Sequence, residues 1–490
     1  MSQSGWESVI GLEVHVHLKT RSKLFCGCAV GYGDEPNHHV CPVCLALPGA
    51  LPVLNGAAVE LAVRAALATH GKVHARSVYA RKNYFYPDLP KGYQISQLDD
   101  PLATGGFVEI AVESAEGAEP EVRRIGLTRI HMEEDAGKSI HDDALAGSDV
   151  TLIDLNRTSV PLVEIVSEPD LRSPEEVGAY LRSLREILRY VGVSDVDMEK
   201  GQFRCDVNVS VRRRGETALG TRRELKNVNS FRAAENGARA EIARQIDELE
   251  GGGEILQSTL RYDVETDRLS TMRLKENADD YRYFPDPDLV PLLIEEARIE
   301  EIRGTLPELP DARRSRIAAQ YGLSDYDARL LTASRPLADF FEEAARIHGD
   351  AKTVANWISR DVLAALKEQG SDLEDCALEP AALASLLGLV DESRVTARSA
   401  RDLVPDLVRA GGDPEALVRE RGLEAVSDTG ELEALADAAL EGNPAAVASF
   451  HEGDGKALNF LMGQVMRKTG GKADARTVRS LLERKLTGEA

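Results

Sequence analysis

Four of the six cysteines fall within nineteen residues, as Cys26-Gly27-Cys28 and, after twelve residues, Cys41-Pro42-Val43-Cys44. Two short pairs at this spacing can offer four thiolates to one tetrahedral zinc ion. His38 and His39 lie between the pairs and could replace one sulfur; free thiols or a redox pair is the plainer alternative. Four protein ligands leave no open position, so such a zinc would be structural. Cys205 and Cys376 stand alone and read as core residues. A second set of reactive residues is acidic. Glu13, the run Glu133-Glu134-Asp135, Asp154, Glu164 and Asp206 all sit beside apolar, strand-like residues. Carboxylates gathered on one face repel each other and shift their pKa values unless cations balance them. Magnesium is the usual balance, binding through one or two carboxylates and nucleotide phosphates; His15 could join them. The alternative is a set of separate, solvated strand faces. Gly137-Lys138-Ser139 imitates the end of a P-loop, but that pattern needs glycine where Met132 stands. Two further stretches, Arg81 to Asp88 with Lys91 to Gln97, and Asp280 to Asp288, interleave aromatics with bases. They suit stacking on a nucleotide or RNA end, or else packing of the rings on the core.

These groups need elements to hold them. From Ile10 to Leu18 the chain alternates strictly, with Leu12, Val14, Val16 and Leu18 on one side and Glu13, His15 and His17 on the other. Cys205 to Val211 repeats the pattern, opposing Val207, Val209 and Val211 to Asp206, Asn208 and Ser210. Shorter strands are expected at Ile125–Ile130, Thr151–Leu155, Leu162–Val166 and Glu224–Val228. Two helices are expected among them. One is capped by Ser173 with Pro174 in its first turn and a Leu181, Leu184, Ile187, Leu188 stripe; the other runs from Ser230 to Glu250 and stops at three glycines. Near residue 295 the pattern turns to helical periods rich in Ala, Leu, Glu and Arg. The reading is therefore an α+β domain on an antiparallel sheet over 1–295, an all-α domain over 296–410 and a small helical tail over 411–490.

Composition limits the class. The 490 residues carry 59 Lys and Arg against 82 Asp and Glu, a net charge of −23. No window approaches the roughly 18 apolar residues of a membrane span, and Met1 to Glu7 lacks the basic start and apolar run of a secretory signal. A cytoplasmic protein with no membrane contact is expected. The acid excess argues against nucleic-acid binding only on average. Residues 456–485 hold eight bases, among them Lys456, Arg467, Lys468, Arg476 and Arg484, against Asp474 and Glu483, a net +6. That segment is a phosphate-binding face or a solvated helix surface.

Taken in order, six segments resemble the GatB family, the B subunits of bacterial tRNA-dependent amidotransferases. They are Ile10 to Val16, Lys82 to Asp88, His131 to Ser139, Glu164 to Asp170, Glu224 to Asn227 and Asp280 to Pro285. The resemblance covers almost the whole chain. It implies a catalytic domain similar to glutamine synthetase and the guanidino kinases, then a helical domain and a YqeY-like tail that contacts tRNA. It implies an ATP-dependent carbon–nitrogen ligase that phosphorylates the side-chain carboxylate of Glu-tRNA(Gln), Asp-tRNA(Asn) or both, using ATP and magnesium. Ammonia would then displace the phosphate. That ammonia would come from the GatA amidase, in a heterotrimer with the small GatC subunit; the chain has no amidase signature of its own. Carried over by motif, the magnesium ligands are Glu13, His15, Glu134 and Glu164, with Asp206 counted among the catalytic residues and Glu133 a weaker candidate. Lys82, Lys138 and Lys226 would neutralise phosphates, with Lys91 and Arg204 as further candidates. Members of the family with and without the four cysteines exist, which makes zinc a structural option outside catalysis.

Overall fold

Period-two alternation builds most of the N-terminal half. Strand β1 (Trp6–His17) buries Leu12, Val14 and Val16 and leaves Glu13, His15 and His17 half-exposed on the opposite side. It is followed by β2 (Ala80–Asn83), β3 (Tyr93–Ser96), β4 (Phe107–Val112), β5 (Glu121–Glu134), β6 (Pro161–Ser167), β7 (Phe203–Arg213), β8 (Arg223–Val228), β9 (Ser258–Asp263), β10 (Arg268–Leu274) and β11 (Phe284–Pro285). The computed structural model describes residues 5–112, 121–140, 150–228, 230–264, 266, 268–274, 278–425, 429–469 and 472–487. The side chain of Asn227, part of one quoted motif, lies outside the described atoms. The chain divides into two units, Met1–Leu309 and Pro310–Ala490.

The main sheet of the first unit runs β10-β9-β8-β7-β1-β6-β5 and ends on two short strands, Ala103–Thr104 and Lys72–Val73, with β4 paired to the start of β5. The expected antiparallel sheet is in fact mixed, because β8 and β9 are parallel. A parallel pair needs a crossover connection, and the helix over residues 231–250 supplies it.

Among the described residues, four α-helices complete the unit: α1 (Gly56–Ala68), α2 (Pro174–Tyr190), α3 (Phe231–Glu250) and α4 (Glu296–Gly304). Ser173 caps α2 by accepting the Glu176 N–H, and Ser230 caps α3 by accepting that of Ala233. Helix α1, capped by Asn55, was not expected; its alanine-rich sequence draws no strong apolar stripe. The sheet's apolar side, with Leu12, Val14, Val163, Ile165, Val207 and Val209, shares one core with Leu181, Leu184, Leu188, Ala234 and Ala238 of α2 and α3. One side of the sheet is thereby dry, and chemistry is left to the other. Leu184 is fully buried in this core. Leu184→Ala is expected to cost about 2–5 kcal/mol, the transfer loss plus the cavity, read as a lower unfolding midpoint.

The expected boundary at 295 falls too early. Ile299 and Ile302 of α4 are buried in the first core, and Arg298 pairs with Glu60 at 2.7 Å, so the unit runs on to Leu309. The break placed at 410 is also displaced. Val418 is buried with Leu403 and Leu407 in the first of two helical cores of the second unit. Leu461, Val465, Val478 and Leu482 form the other. Helical periodicity changes at both expected points, but core membership does not. The bases Lys456, Arg467, Lys468, Arg476 and Arg484 are exposed, while Lys485 pairs with Asp437 and Arg479 with Glu483. Among the described residues no helix is long and apolar enough to cross a membrane.

Candidate active site

Register assembles the polar face. On β1, Glu13 lies opposite Asp206 of β7, and His15 opposite Glu164 of β6 and Arg204 of β7. Glu164 in turn lies opposite His131 of β5, and Asn208 of β7 opposite Glu224 of β8. The outcome is two groups, His15–Glu133–Glu164 and Glu13–Asp206–Glu224, in each of which the donor atoms lie within 4.8 Å of one another. In the first, His15 Nε2 is 3.4 Å from Glu164 and 3.8 Å from Glu133, and His131 Nε2 is 3.3 Å from Glu164. In the second, Asn208 donates to Glu13 at 3.1 Å, and Lys226 Nζ lies 2.5 Å from Asp206 and 3.3 Å from Glu224.

The charges are strongly coupled. Burial, reinforced by Glu164, Asp206 and Glu224, raises the Glu13 carboxyl above its usual range. Burial opposes a charged His15, but Glu164, Glu133 and Asp206 outweigh it and raise the imidazole to about 9. Burial likewise disfavours a charged Glu164, yet His131 and His15 hold it well below the carboxylate range. Desolvation opposes the charge of half-buried Lys82 on β2, and Tyr283, Glu133 and Glu164 more than compensate. Lys226 follows the same logic with Asp206 and Glu224. Five carboxylates, mostly shielded from water, call for compensating cations. Their hard oxygen donors at this separation fit a divalent ion.

Seven of the residues singled out from sequence therefore meet at one face: Glu13, His15, Glu133, Glu164, Asp206, Lys82 and Lys226. Glu134 does not join them. Successive strand residues point to opposite sides, so Glu133 takes the cluster side and Glu134 turns away. The Glu134 carboxylate is fully buried, accepting from Lys91, from the Ile95 N–H at 2.9 Å and from Ser159 Oγ at 2.5 Å. Lys91 is thus engaged with Glu134. Arg204 pairs with Asp135 at 2.8 Å, which raises the guanidinium. Lys138 lies outside both clusters, exposed on a ribbon opposite Asp154. Sequence reasoning missed Glu224 and His131 as site residues. Glu224 was visible two positions from Lys226 on an expected strand, and so on the same face.

The aromatic stretches turn out to be one unit. β2 pairs with β3 and with β11, joining residues 80–83, 93–96 and 284–285. Arg81 ties to Asp286 at 2.8 Å and to Asp288 at 2.7 Å, and Asn83 donates to the Tyr281 and Arg282 carbonyls at 3.2 and 2.8 Å. Gln94 fastens the unit to the Glu134 carbonyl at 2.7 Å, and Ser96 to Glu133 at 3.2 Å. The Lys82 ammonium lies 4.9 Å from the Tyr281 ring and 5.9 Å from that of Tyr84. Strand alternation thus carries Lys82 over the carboxylates within an aromatic wall.

The four cysteines also converge. Their sulfurs lie within 4.8 Å of one another, with Cys26–Cys44 at 3.7 Å and Cys41–Cys44 at 3.8 Å, and all are free thiols. Zn–S bonds of about 2.3 Å in a tetrahedron place sulfurs about 3.8 Å apart. A hydrogen bond from Cys26, a backbone hydrogen bond from Cys41 and then the Lys23 ammonium, 3.3 Å away, outweigh burial and lower the Cys44 thiol to about 4. His39 binds Asp34 at 2.9 Å and His38 is exposed, which leaves the sulfurs as the ligand set. The expected metal content of reduced protein is close to one zinc per chain, falling to near zero in Cys41→Ser/Cys44→Ser. Elemental analysis checks this; no zinc in the reduced parent would remove the site.

A helix-backed sheet with acidic groups on its open face, followed by a helical unit, defines an α+β catalytic subunit with an all-α appendage. Residues 8–300 match the GatB/GatE catalytic domain, and residues 339–486 the GatB domain. Among relatives named as the B subunit of aspartyl/glutamyl-tRNA(Asn/Gln) amidotransferase, that of Carboxydothermus hydrogenoformans is 50% identical over 98% of this chain and 99% of its own. That of Geobacter sulfurreducens is 50% identical over 99% and 100%, and that of Syntrophotalea carbinolica 47% over 99% and 100%. The chain belongs to the GatB family, the B subunits of tRNA amidotransferases.

Proposed function

We propose that the chain catalyses the ATP- and magnesium-dependent phosphorylation and amidation of the side-chain carboxylate of Glu-tRNA(Gln), Asp-tRNA(Asn) or both. The observation that carries this reading is the pair of acidic groups on one sheet face, with Lys82 and Lys226 beside them. A carboxylate reacts poorly with ammonia because its oxygen leaves badly, and a phosphate from ATP supplies a good leaving group. Such a transfer asks the protein for positioning and charge neutralisation more than for covalent chemistry. Glu13, Asp206 and Glu224 would hold one magnesium ion, and His15, Glu133 and Glu164 a second. Lys82 and Lys226 would steady the transferred phosphate.

Ammonia would come from a partner amidase, GatA, in a complex with GatC, as the naming of the relatives as B subunits suggests. The exposed bases of residues 456–485 would meet tRNA phosphates, and the cysteine site would carry structural zinc. The setting would be the cytoplasm. The test uses radiolabelled Glu-tRNA(Gln) with ATP, magnesium and ammonium, first with this chain alone and then with its partner subunits. Formation of Gln-tRNA(Gln) that needs ATP and magnesium is expected. No product in any combination overturns the reading, and tRNA binding without ATP cleavage would leave the chain a binding role only.

A further inference from the structure

We propose that Phe85, with Tyr86 beside it, is a stacking platform for an adenine base next to the carboxylate face. The inference rests on the function proposed above. Adenine comes from two sources there, ATP and the 3′-terminal nucleotide of the tRNA, and the test separates them.

Phe85 is 82% exposed and Tyr86 55% exposed. Large aromatic side chains are normally much more buried than this. Yet the loop that carries them is firmly built. The Tyr84 N–H donates to the Gly92 carbonyl at 3.2 Å, Leu89 N–H to Tyr86 at 3.0 Å and Gly92 N–H to Leu89 at 3.0 Å. Leu89 is buried, and Asp88 is tied from outside by the Gly137 N–H at 2.9 Å and by Ser139 Oγ at 3.2 Å.

The Phe85 ring also has a bed. It lies so close to Gly92 that a Cβ there would come within 2.9 Å of its edge, and Gly92 has φ +76°. That backbone conformation favours glycine, and the missing side chain leaves room for the ring. The loop therefore seats one edge of the ring and leaves most of its surface open.

The location and charge point to a nucleotide. Tyr84, the preceding residue, is half-buried at the site, its ring 5.9 Å from the Lys82 ammonium and 6.1 Å from the Tyr281 ring; desolvation first, and then Glu133, Asp135 and Glu134, raise its phenol, with Lys82 opposing them. At about 3.8 Å per residue, Phe85 and Tyr86 stand one and two steps from the proposed phosphate-handling face. Lys82 lies among the rings of the same unit, and Arg282 is exposed there in a left-handed conformation, φ +45°, held by Asn83. Open rings with cations beside them are the recipe for a stacked base with a neutralised phosphate.

The experiment uses the assembled amidotransferase with Phe85→Ala, Phe85→Leu and Phe85→Trp, measuring KM for ATP and for Glu-tRNA(Gln) separately. Phe85→Ala and Phe85→Leu should raise one or both KM values on the order of tenfold, with much less effect on kcat, while Phe85→Trp restores most of the loss. A rise for ATP assigns the platform to the nucleotide; a rise for tRNA assigns it to the terminal adenosine. Unchanged KM values in Phe85→Ala overturn the proposal, as does full rescue by leucine. Loss of partner subunits on purification also overturns it, because the ring would then be a protein contact. Thermal melting confirms that the variants fold. If the parent enzyme makes no amide, the proposed function has failed; if the parent turns over and Phe85→Ala matches it, only the platform has.

Discussion

Glu164→Gln should lower the ATP-dependent activation of the substrate carboxylate by roughly a hundred- to a thousandfold, the scale at which a lost electrostatic partner of a transition state is felt. tRNA binding should stay within a few fold of the parent. Glu164 lies between His15 and His131, at 3.4 and 3.3 Å, and these imidazoles hold it ionised despite its burial. Glutamine keeps the shape and removes the charge. The group would then offer a divalent ion one carboxylate, Glu133, instead of two. Weaker ion binding also leaves less positive charge where the phosphoryl oxygens need it. Single-turnover amidation of labelled Glu-tRNA(Gln) across a magnesium titration measures both effects. Activity within fivefold of the parent, with an unmoved magnesium midpoint, would take Glu164 out of the metal group. The exposed bases in the last helices lie in the other unit, so filter binding of tRNA serves as an internal control.

Much of that face was legible because period-two alternation is local. Leu12, Val14 and Val16 against Glu13, His15 and His17 required only that β1 be a strand, and the valines of β7 did the same for Asp206. Lys82 and Lys226 entered through family resemblance, and strand geometry places both at the site. The choice between Glu133 and Glu134 was not legible. Adjacent residues must face opposite ways, and only the pairing of β5 with β6, which sets Leu162 opposite Glu133, says which side is which. Non-local pairing also hid the parallel β8–β9 contact. Helix α1 escaped because alanines can be buried without marking a stripe. The domain boundaries slipped for another reason. Composition becomes helical at 296, yet Ile299 and Ile302 still belong to the first core. Periodicity reports the type of an element, and only packing reports what it belongs to.

The same half-turn makes Glu134 a different kind of residue, and its substitution a different experiment. Its carboxylate has no exposure and is shared by Lys91, the Ile95 N–H and Ser159 Oγ, while the Lys91 side chain is only 9% exposed. Glu134→Ala would strand a buried ammonium, and breaking such a pair from one side typically costs about 3–5 kcal/mol. Ser159, itself at φ +65°, would lose its side-chain acceptor, though its N–H still reaches the Asp135 carbonyl at 2.9 Å and its own carbonyl still accepts from Leu24 at 2.8 Å. Adding Lys91→Met should recover part of the loss, because the unpaired charge is then gone. A double-mutant cycle on the unfolding midpoint measures that recovery. Activity of Glu134→Gln should fall with stability and recover on cooling, with the magnesium midpoint unmoved. Glu133→Gln should do the reverse, leaving stability nearly intact and moving the midpoint. A midpoint that moves further for Glu134→Gln than for Glu133→Gln would place Glu134 in the metal group and contradict this facing of β5.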